Sequence, residues 1–133
     1  MLSRVADSLF WLGRYTERAE NYSRFIDVNF NLSMDLPPGM AEQWQPLVAA
    51  TGDEVRYHEL YKGYTRENAI RFLAFDPEND NSILVSVTKA RENARQVRES
   101  ISKETWEVLN DLYHFMNNAV KRKAWKATDP DQF

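Results

Sequence analysis

The sequence predicts an all-α fold, an antiparallel up-and-down bundle of three long helices with two or three shorter ones. Apolar residues recur at alternating three- and four-residue steps in three long segments. Residues that cap helices precede several of these segments, and no stretch shows the two-residue alternation typical of strands. With 133 residues, 43% of them hydrophobic, the chain suits one domain spanning residues 1–133.

The first long helix is predicted from about Arg4 to Asn31, capped by Ser3. Phe10, Trp11 and Phe25 lie off its main apolar stripe, so the first half of the helix is apolar nearly all round and we expect it to be the central helix. The main stripe comprises Val5, Leu9, Leu12, Tyr15, Ala19, Tyr22 and Ile26.

Shorter helices and loops follow the first helix. The consecutive prolines at 37 and 38 predict a loop over residues 32–39, because proline lacks an amide donor and restricts the residue before it. Short helices are predicted at Met40–Ala50 and Asp53–Tyr61, and another begins at a Thr65 cap and extends to Phe75. Turn-forming residues then predict a loop at 76–81.

Two further long helices complete the predicted bundle. Ser82 caps a helix to about Ile101, and Ser102 caps a final helix at Lys103–Trp125, followed by a tail at 126–133. The seam of the Ser82 helix comprises Ile83, Val87, Ala90, Ala94, Val97 and Ile101, with steps typical of bundle packing.

Composition excludes several classes of function. The chain has no cysteine, which excludes disulfides and thiolate metal sites. The net charge of −3 arises from interspersed acidic and basic residues, which disfavours nucleic-acid binding. No apolar run reaches membrane-spanning length, so we expect no membrane partner and a cytoplasmic location.

Arginines and glutamates are concentrated in the first helix and the Ser82 helix. Arg91, Arg95 and Arg98 lie four and three residues apart, so we expect them on one stripe, paired with Glu17 and Glu20 in an interhelical salt-bridge network. The alternative is a polar pocket that binds a carboxylate or phosphate. The candidate residues for either role are Arg14, Glu17, Arg18, Glu20, Asn21, Arg91, Glu92, Asn93, Arg95 and Arg98.

A metal site is the weaker interpretation of the final helix. Glu107, Asp111 and His114 share one face, with the Asp-to-His spacing of carboxylate–histidine pairs in di-iron bundles. Such a site needs a second pair and two more glutamates, and the other histidine, His58, lies in a different context. We therefore expect a solvated face, no metal and no cofactor.

The segments Met1–Tyr15 and Glu17–Asn21 resemble the start of the bacterial alpha-E domain family. Ser82–Glu99, with the following Trp106-Glu107 and Asn110, resembles its second signature. The resemblance implies association with ATP-grasp amide ligases and transglutaminase-like peptidases, and so a role in making or processing peptide-like amide bonds. The chain is shorter than usual members, so we expect it to lack the family's C-terminal half.

Three hypotheses follow for function. The first is an accessory or scaffolding domain without its own catalysis, which docks a peptide carboxylate. The second is an enzyme in which Glu17 or Glu20 acts as general base and an arginine of the Ser82 helix holds an anion. The third is an assembly module that buries exposed apolar surface by forming a homo-oligomer or by binding a partner.

Overall fold

The computed structural model describes residues 2–34 and 44–126, and in these ranges the fold is all-α, as the sequence predicts. Three long α-helices are accompanied by three short ones. Their bounds are α1 Leu2–Met34, α2 Trp44–Ala50, α3 Glu54–Leu60, α4 Arg66–Ile70, α5 Ile83–Gln96 and α6 Lys103–Lys121. A π-helical stretch, Arg71–Phe75, continues α4, and 3₁₀ turns follow α5 at Arg98–Ser100 and α6 at Ala124–Lys126.

The predicted caps are confirmed at three helix starts, but the predicted Ser3 cap is wrong, because α1 already includes Leu2 and Ser3. The side-chain oxygen of Thr65 accepts a hydrogen bond from the third amide of α4 at 3.1 Å. Ser82 and Ser102 do the same for α5 and α6, at 3.2 Å and 3.0 Å. Each cap satisfies an amide that has no partner inside its helix, which fixes where the helix begins.

The predicted helix ends are less accurate than the starts. Residues 32–34 belong to α1, so the predicted loop 32–39 is wrong there, and residues 35–43 lie outside the described residues. α5 ends at Gln96 rather than Ile101, because Val97, at φ −122 and ψ 29, has left the helical conformation. The 3₁₀ turn Arg98–Ser100 then leads to Ile101, which has extended backbone, φ −120 and ψ 159.

α6 also ends earlier than predicted, at Lys121 rather than Trp125. Lys123 adopts a left-handed conformation, φ 53, which turns the chain back. Trp125 then packs against Phe75, with 5.8 Å between ring centroids, and lies under the guanidinium of Arg71 at 4.9 Å. Lys126, the first residue of the predicted tail, belongs to the 3₁₀ turn, and residues 127–133 lie outside the described residues.

The central helix of the bundle is α5, not α1. α5 packs most extensively against α1 and next against α6. The predicted seam of α5 is confirmed, since Ile83, Val87, Ala90, Ala94 and Val97 are buried and Ile101 is half-buried.

The contacts of α5 with its two neighbours also give the chain direction. Ser8 of α1 reaches Gln96 near the end of α5, whereas Tyr15 lies beside Lys89. The order of these contacts means that α1 and α5 run in opposite directions. The central position predicted for α1 is wrong, because Phe10 and Phe25 on its outer side are 55% and 43% exposed.

Candidate functional site

The predicted salt-bridge network between α1 and α5 does not form among the described residues. Glu17 pairs instead with Arg14 of its own helix at 3.6 Å. On α5, Glu92 lies 3.6 Å from Arg91 and 3.9 Å from Arg95. These local pairs satisfy the charges without crossing the helix interface.

Small apolar residues make the α1–α5 interface instead. Ala19 of α1 and both Ala90 and Ala94 of α5 are buried, at 8%, 1% and 0% exposure. Side chains this short let two helix backbones approach closely, and Leu12 and Tyr15 of α1 pack against the cluster that contains Ala90 and Ala94. The helix pairing was therefore predicted correctly, but the chemistry that holds the pair was not.

The arginines of α5 mostly serve the contact with α6. Arg91 is 21% exposed, donates from Nε to Asn110 Oδ1 at 3.0 Å, and lies over the ring of Tyr113 at 4.4 Å. It also lies 5.6 Å from Trp106, whose ring the guanidinium of Arg98 approaches at 4.8 Å. These cation–π contacts hold α6 against α5 and its following turn.

The other candidates on α5 are local or exposed. Asn93 donates from Nδ2 to the carbonyl of Lys89 at 2.8 Å, one turn back in its own helix. Arg95 is 67% exposed, and Glu92 is 49% exposed. The structure thus separates the α5 candidates from those on α1 instead of joining them in one site.

The candidates on α1 do line a cleft of about 540 Å³, on the side of α1 that faces away from α6 and beside the end of α2. Arg14, Arg18 and Asn21 contribute its polar groups. Glu17 lies at its edge through the pair with Arg14. The complete lining is Phe10, Trp11, Arg14, Arg18, Asn21, Tyr22, Phe25, Ala50 and Thr51. We call this the α1 cleft.

Aromatic rings hold the two arginines of the α1 cleft in place. The Cζ atom of Arg14 lies 5.5 Å from the Phe10 ring centroid, and Cζ of Arg18 lies 5.5 Å from that of Tyr15. A guanidinium that stacks on a ring loses side-chain freedom but keeps its N–H edges available. Such an arrangement suits recognition of a planar anion.

The back of the α1 cleft is fixed by a hydrogen-bonded group that sequence reasoning missed. The hydroxyl of Tyr22 donates to Asp53 Oδ2 at 2.9 Å, and Asn81 donates to the same carboxylate at 3.1 Å. Burial, together with the bond to Asp53, raises the pKa of Tyr22. The hydroxyl therefore remains a neutral donor. No sequence signal identifies this contact, because Tyr22 fits the apolar stripe and its partners are distant in the chain.

Glu20 lies elsewhere. It lines a second groove, between α1 and α6, together with Arg24 and several apolar residues of α5 and α6. A shared site containing both Glu17 and Glu20 is therefore not what the structure shows. Glu20 lines the second groove, whereas Glu17 lines neither that groove nor the α1 cleft and pairs with Arg14.

Other features bear on metal and membrane chemistry. Over residues 2–34 and 44–126, no three His, Asp or Glu side chains gather in a way that could hold a metal ion. In the same ranges no helix has both the length and the apolar character needed to cross a bilayer. The cytoplasmic location stays a prediction.

Comparison with known families gives a clear match. The model of the Alpha-E family, described as a predicted alpha-helical domain with a conserved ER motif, matches residues 1–132. The chain belongs to the Alpha-E family. Glu17-Arg18 is the sole Glu-Arg dipeptide in this sequence. In this Alpha-E domain, that arginine lines the α1 cleft.

Three curated relatives of this chain are bacterial. One protein of Mycobacterium bovis and two of Mycobacterium tuberculosis strains are each 29% identical to this chain over 143 aligned residues. All three are described as uncharacterised proteins. The alignment covers 97% of this chain but 15% of each relative, so the Alpha-E domain spans a small part of their length. No solved structure matches the chain significantly.

Proposed function

We propose that this Alpha-E domain binds the carboxylate of a peptide in the α1 cleft and acts as an accessory domain in a peptide-modification system. The observation that carries the proposal is the convergence of Arg14, Arg18 and Asn21 in an open cleft with aromatic walls. The arginine of the Glu17-Arg18 dipeptide is one of the three.

The spacing of the three polar residues suits one ligand group. Residues 14, 18 and 21 are four and three positions apart, so their side chains project from one face of α1 over about two turns. Arginine offers parallel N–H donors that match the two oxygens of a carboxylate, and an asparagine amide adds another donor. A carboxylate bound here would receive donors from two or three side chains.

The ion pair already present does not block this role. Arg14 and Glu17 are 58% and 59% exposed, and the distance between their charged atoms is 3.6 Å. Exposed pairs of this kind stabilise a fold very little, since water screens them. A ligand carboxylate can therefore replace Glu17 as the partner of Arg14 at low cost.

The aromatic walls indicate which peptides would bind. Phe10, Trp11 and Phe25 are 55%, 40% and 43% exposed beside the two arginines. An apolar side chain of the ligand would cover these rings while its carboxylate meets the guanidinium groups. The class of ligand that fits is a peptide that ends in an aromatic or large aliphatic residue with a free carboxylate.

Family resemblance supports the proposed partners. An ATP-grasp ligase activates a carboxylate before forming an amide bond, and a transglutaminase-like protein processes amide bonds. A domain that holds a peptide terminus would supply substrate to either. Co-purification of this domain with such partners, each shown to be folded, is the expected result, and repeated failure to associate would count against this role.

The ligand class is tested by titration. Calorimetry with Ala-Ala-Phe as probe is expected to show binding, and the C-terminal amide of the same peptide is expected to bind at least about tenfold more weakly, a difference of about 1.4 kcal/mol. Arg18→Gln is expected to weaken binding of the free acid by a similar factor. Arg95→Gln is the matched control, because Arg95 lies outside the α1 cleft and is 67% exposed.

Two outcomes would contradict the proposal. Equal binding of the acid and the amide would show that the arginines do not recognise the carboxylate. Equal weakening by Arg18→Gln and Arg95→Gln would show that overall charge, rather than the α1 cleft, controls affinity.

A further inference from the structure

The second groove of the molecule lies between α1 and α6, on the opposite side of α1 from the α1 cleft. Its volume is about 560 Å³. Buried residues of α5, among them Val87 and Ala90, form its floor. Three packed helices with an open groove between the outer two leave the position that a fourth helix occupies in a four-helix bundle.

The α6 wall of this groove is apolar and exposed. Val108, Leu112 and Phe115 are four and three positions apart, so they share one face of α6, and they are 63%, 38% and 49% exposed. An apolar face at this spacing is typical of a surface that packs against another helix. In this copy of the chain, the described residues leave that face uncovered.

The charges of α6 select the helix that fits. Its first half carries Glu104, Glu107 and Asp111, and its last turn carries Lys121, followed by Arg122. A second α6 running antiparallel would place the acidic half of each copy beside the basic end of the other. A parallel second copy would bring like charges together, which is unfavourable.

The apolar and charged contacts agree on one register. An antiparallel alignment that sets Leu112 opposite Phe115 of the second copy also sets Glu104 within one residue of the second copy's Arg122. A two-fold axis makes each contact occur twice. The face of α6 is therefore complementary to itself both in apolar surface and in charge.

We propose that α6 of a second copy fills the groove between α1 and α6, in a two-fold symmetric dimer. The α1 cleft shares no lining residue with this groove. The dimer is therefore independent of the function proposed for the α1 cleft. Each dimer would display two such clefts.

The test is sedimentation equilibrium of the full 133-residue chain over a wide concentration range. A single-helix interface is small, so we expect a reversible monomer–dimer equilibrium with a dissociation constant on the order of 10 µM. Leu112→Arg is expected to weaken self-association at least about tenfold. Val55→Arg is the matched control, because Val55 is 75% exposed on α3 and lies outside the groove. Circular dichroism checks that both variants are folded.

Charge reversal gives a second, independent measurement. Glu104→Lys and Arg122→Glu are each expected to weaken the dimer several-fold, and the double variant is expected to recover most of the loss, because it exchanges the two signs. A chain that stays monomeric at all concentrations overturns the proposal. That result is expected if the groove is covered by other residues of the same chain or is the binding site of a different protein. A dimer that is unaffected by Leu112→Arg overturns it as well.

Discussion

Tyr57 lies at the centre of an aromatic group that holds α3 against the π-helical stretch after α4, and its replacement tests how these short elements are stabilised. The side chain is fully buried. Its ring stacks between Tyr61 and Tyr64, with centroid distances of 5.2 Å and 4.6 Å. Phe72 meets the ring edge-on at 5.1 Å, and the hydroxyl donates to the carbonyl of Gly63 at 2.7 Å.

Two substitutions separate the ring from the hydroxyl. Tyr57→Phe keeps the stack and loses one hydrogen bond, so the free energy of unfolding is expected to fall by about 1 kcal/mol. Tyr57→Ala also removes the ring and leaves a cavity among three aromatic neighbours, which is expected to cost about 3–5 kcal/mol. In a domain of this size the first change lowers the melting temperature by about 4 °C.

Urea unfolding at neutral pH, followed by circular dichroism at 222 nm, measures both values. Val55→Ala is the control, since Val55 is 75% exposed and its truncation is expected to change stability by less than about 0.5 kcal/mol. A free energy of unfolding for Tyr57→Ala within about 1 kcal/mol of the wild-type value would refute the reasoning. Removing the whole ring would then cost no more than removing one hydrogen bond.

Three further predictions concern pH, capping and the contact between α5 and α6. Burial raises the pKa of Tyr57 from 10.0 to about 12, so between these values the unfolded chain loses its proton first and stability falls by up to about 3 kcal/mol. Melting temperatures from pH 9 to 12 check this, and Tyr57→Phe should flatten the decline, whereas an unchanged slope would contradict the assignment. Ser82→Ala removes a buried cap and is expected to lower the free energy of unfolding in urea by about 1–2 kcal/mol. Ser102→Ala removes an exposed cap and is expected to lower it less, and the reverse order would contradict the role of burial. Arg91→Ala is expected to destabilise the fold by about 1–2 kcal/mol, because its contacts with aromatic rings are lost, and Arg95→Ala by less than about 0.5 kcal/mol. Equal destabilisation by the two variants in thermal unfolding would argue against the cation–π contacts.

Much of the fold was accessible from local patterns. The caps at Thr65, Ser82 and Ser102 were predicted correctly, because each depends on a side chain and an amide three residues away. The seam of α5 was also predicted, since burial on one helix face imposes a spacing that can be read in the sequence. Helix ends were predicted less well. The backbone leaves the helical conformation at Val97 after α5 and at Lys123 after α6, and neither position carries the glycine or proline that would predict a helix end.

The structure divides the candidate polar residues between two places. Arg14, Arg18 and Asn21 were named as a polar set on α1, and the structure places all three in the α1 cleft. The predicted partners on α5 do not line the α1 cleft. A sequence shows which residues share a helix face, but not which neighbouring helix that face contacts. Arginine and glutamate three or four residues apart can pair within one helix, as Arg14 and Glu17 do.

By itself the sequence determined that this chain is helical, where α5 and α6 begin and which family it belongs to, since these depend on short-range hydrogen bonds, residue spacing and similarity. Only the tertiary structure decided which helix is central, which face of α1 is open and where each charge finds its partner. Those features depend on how whole helices rotate about their axes and pack. The buried alanines that set this packing favour close approach of the backbones without specifying a charge partner.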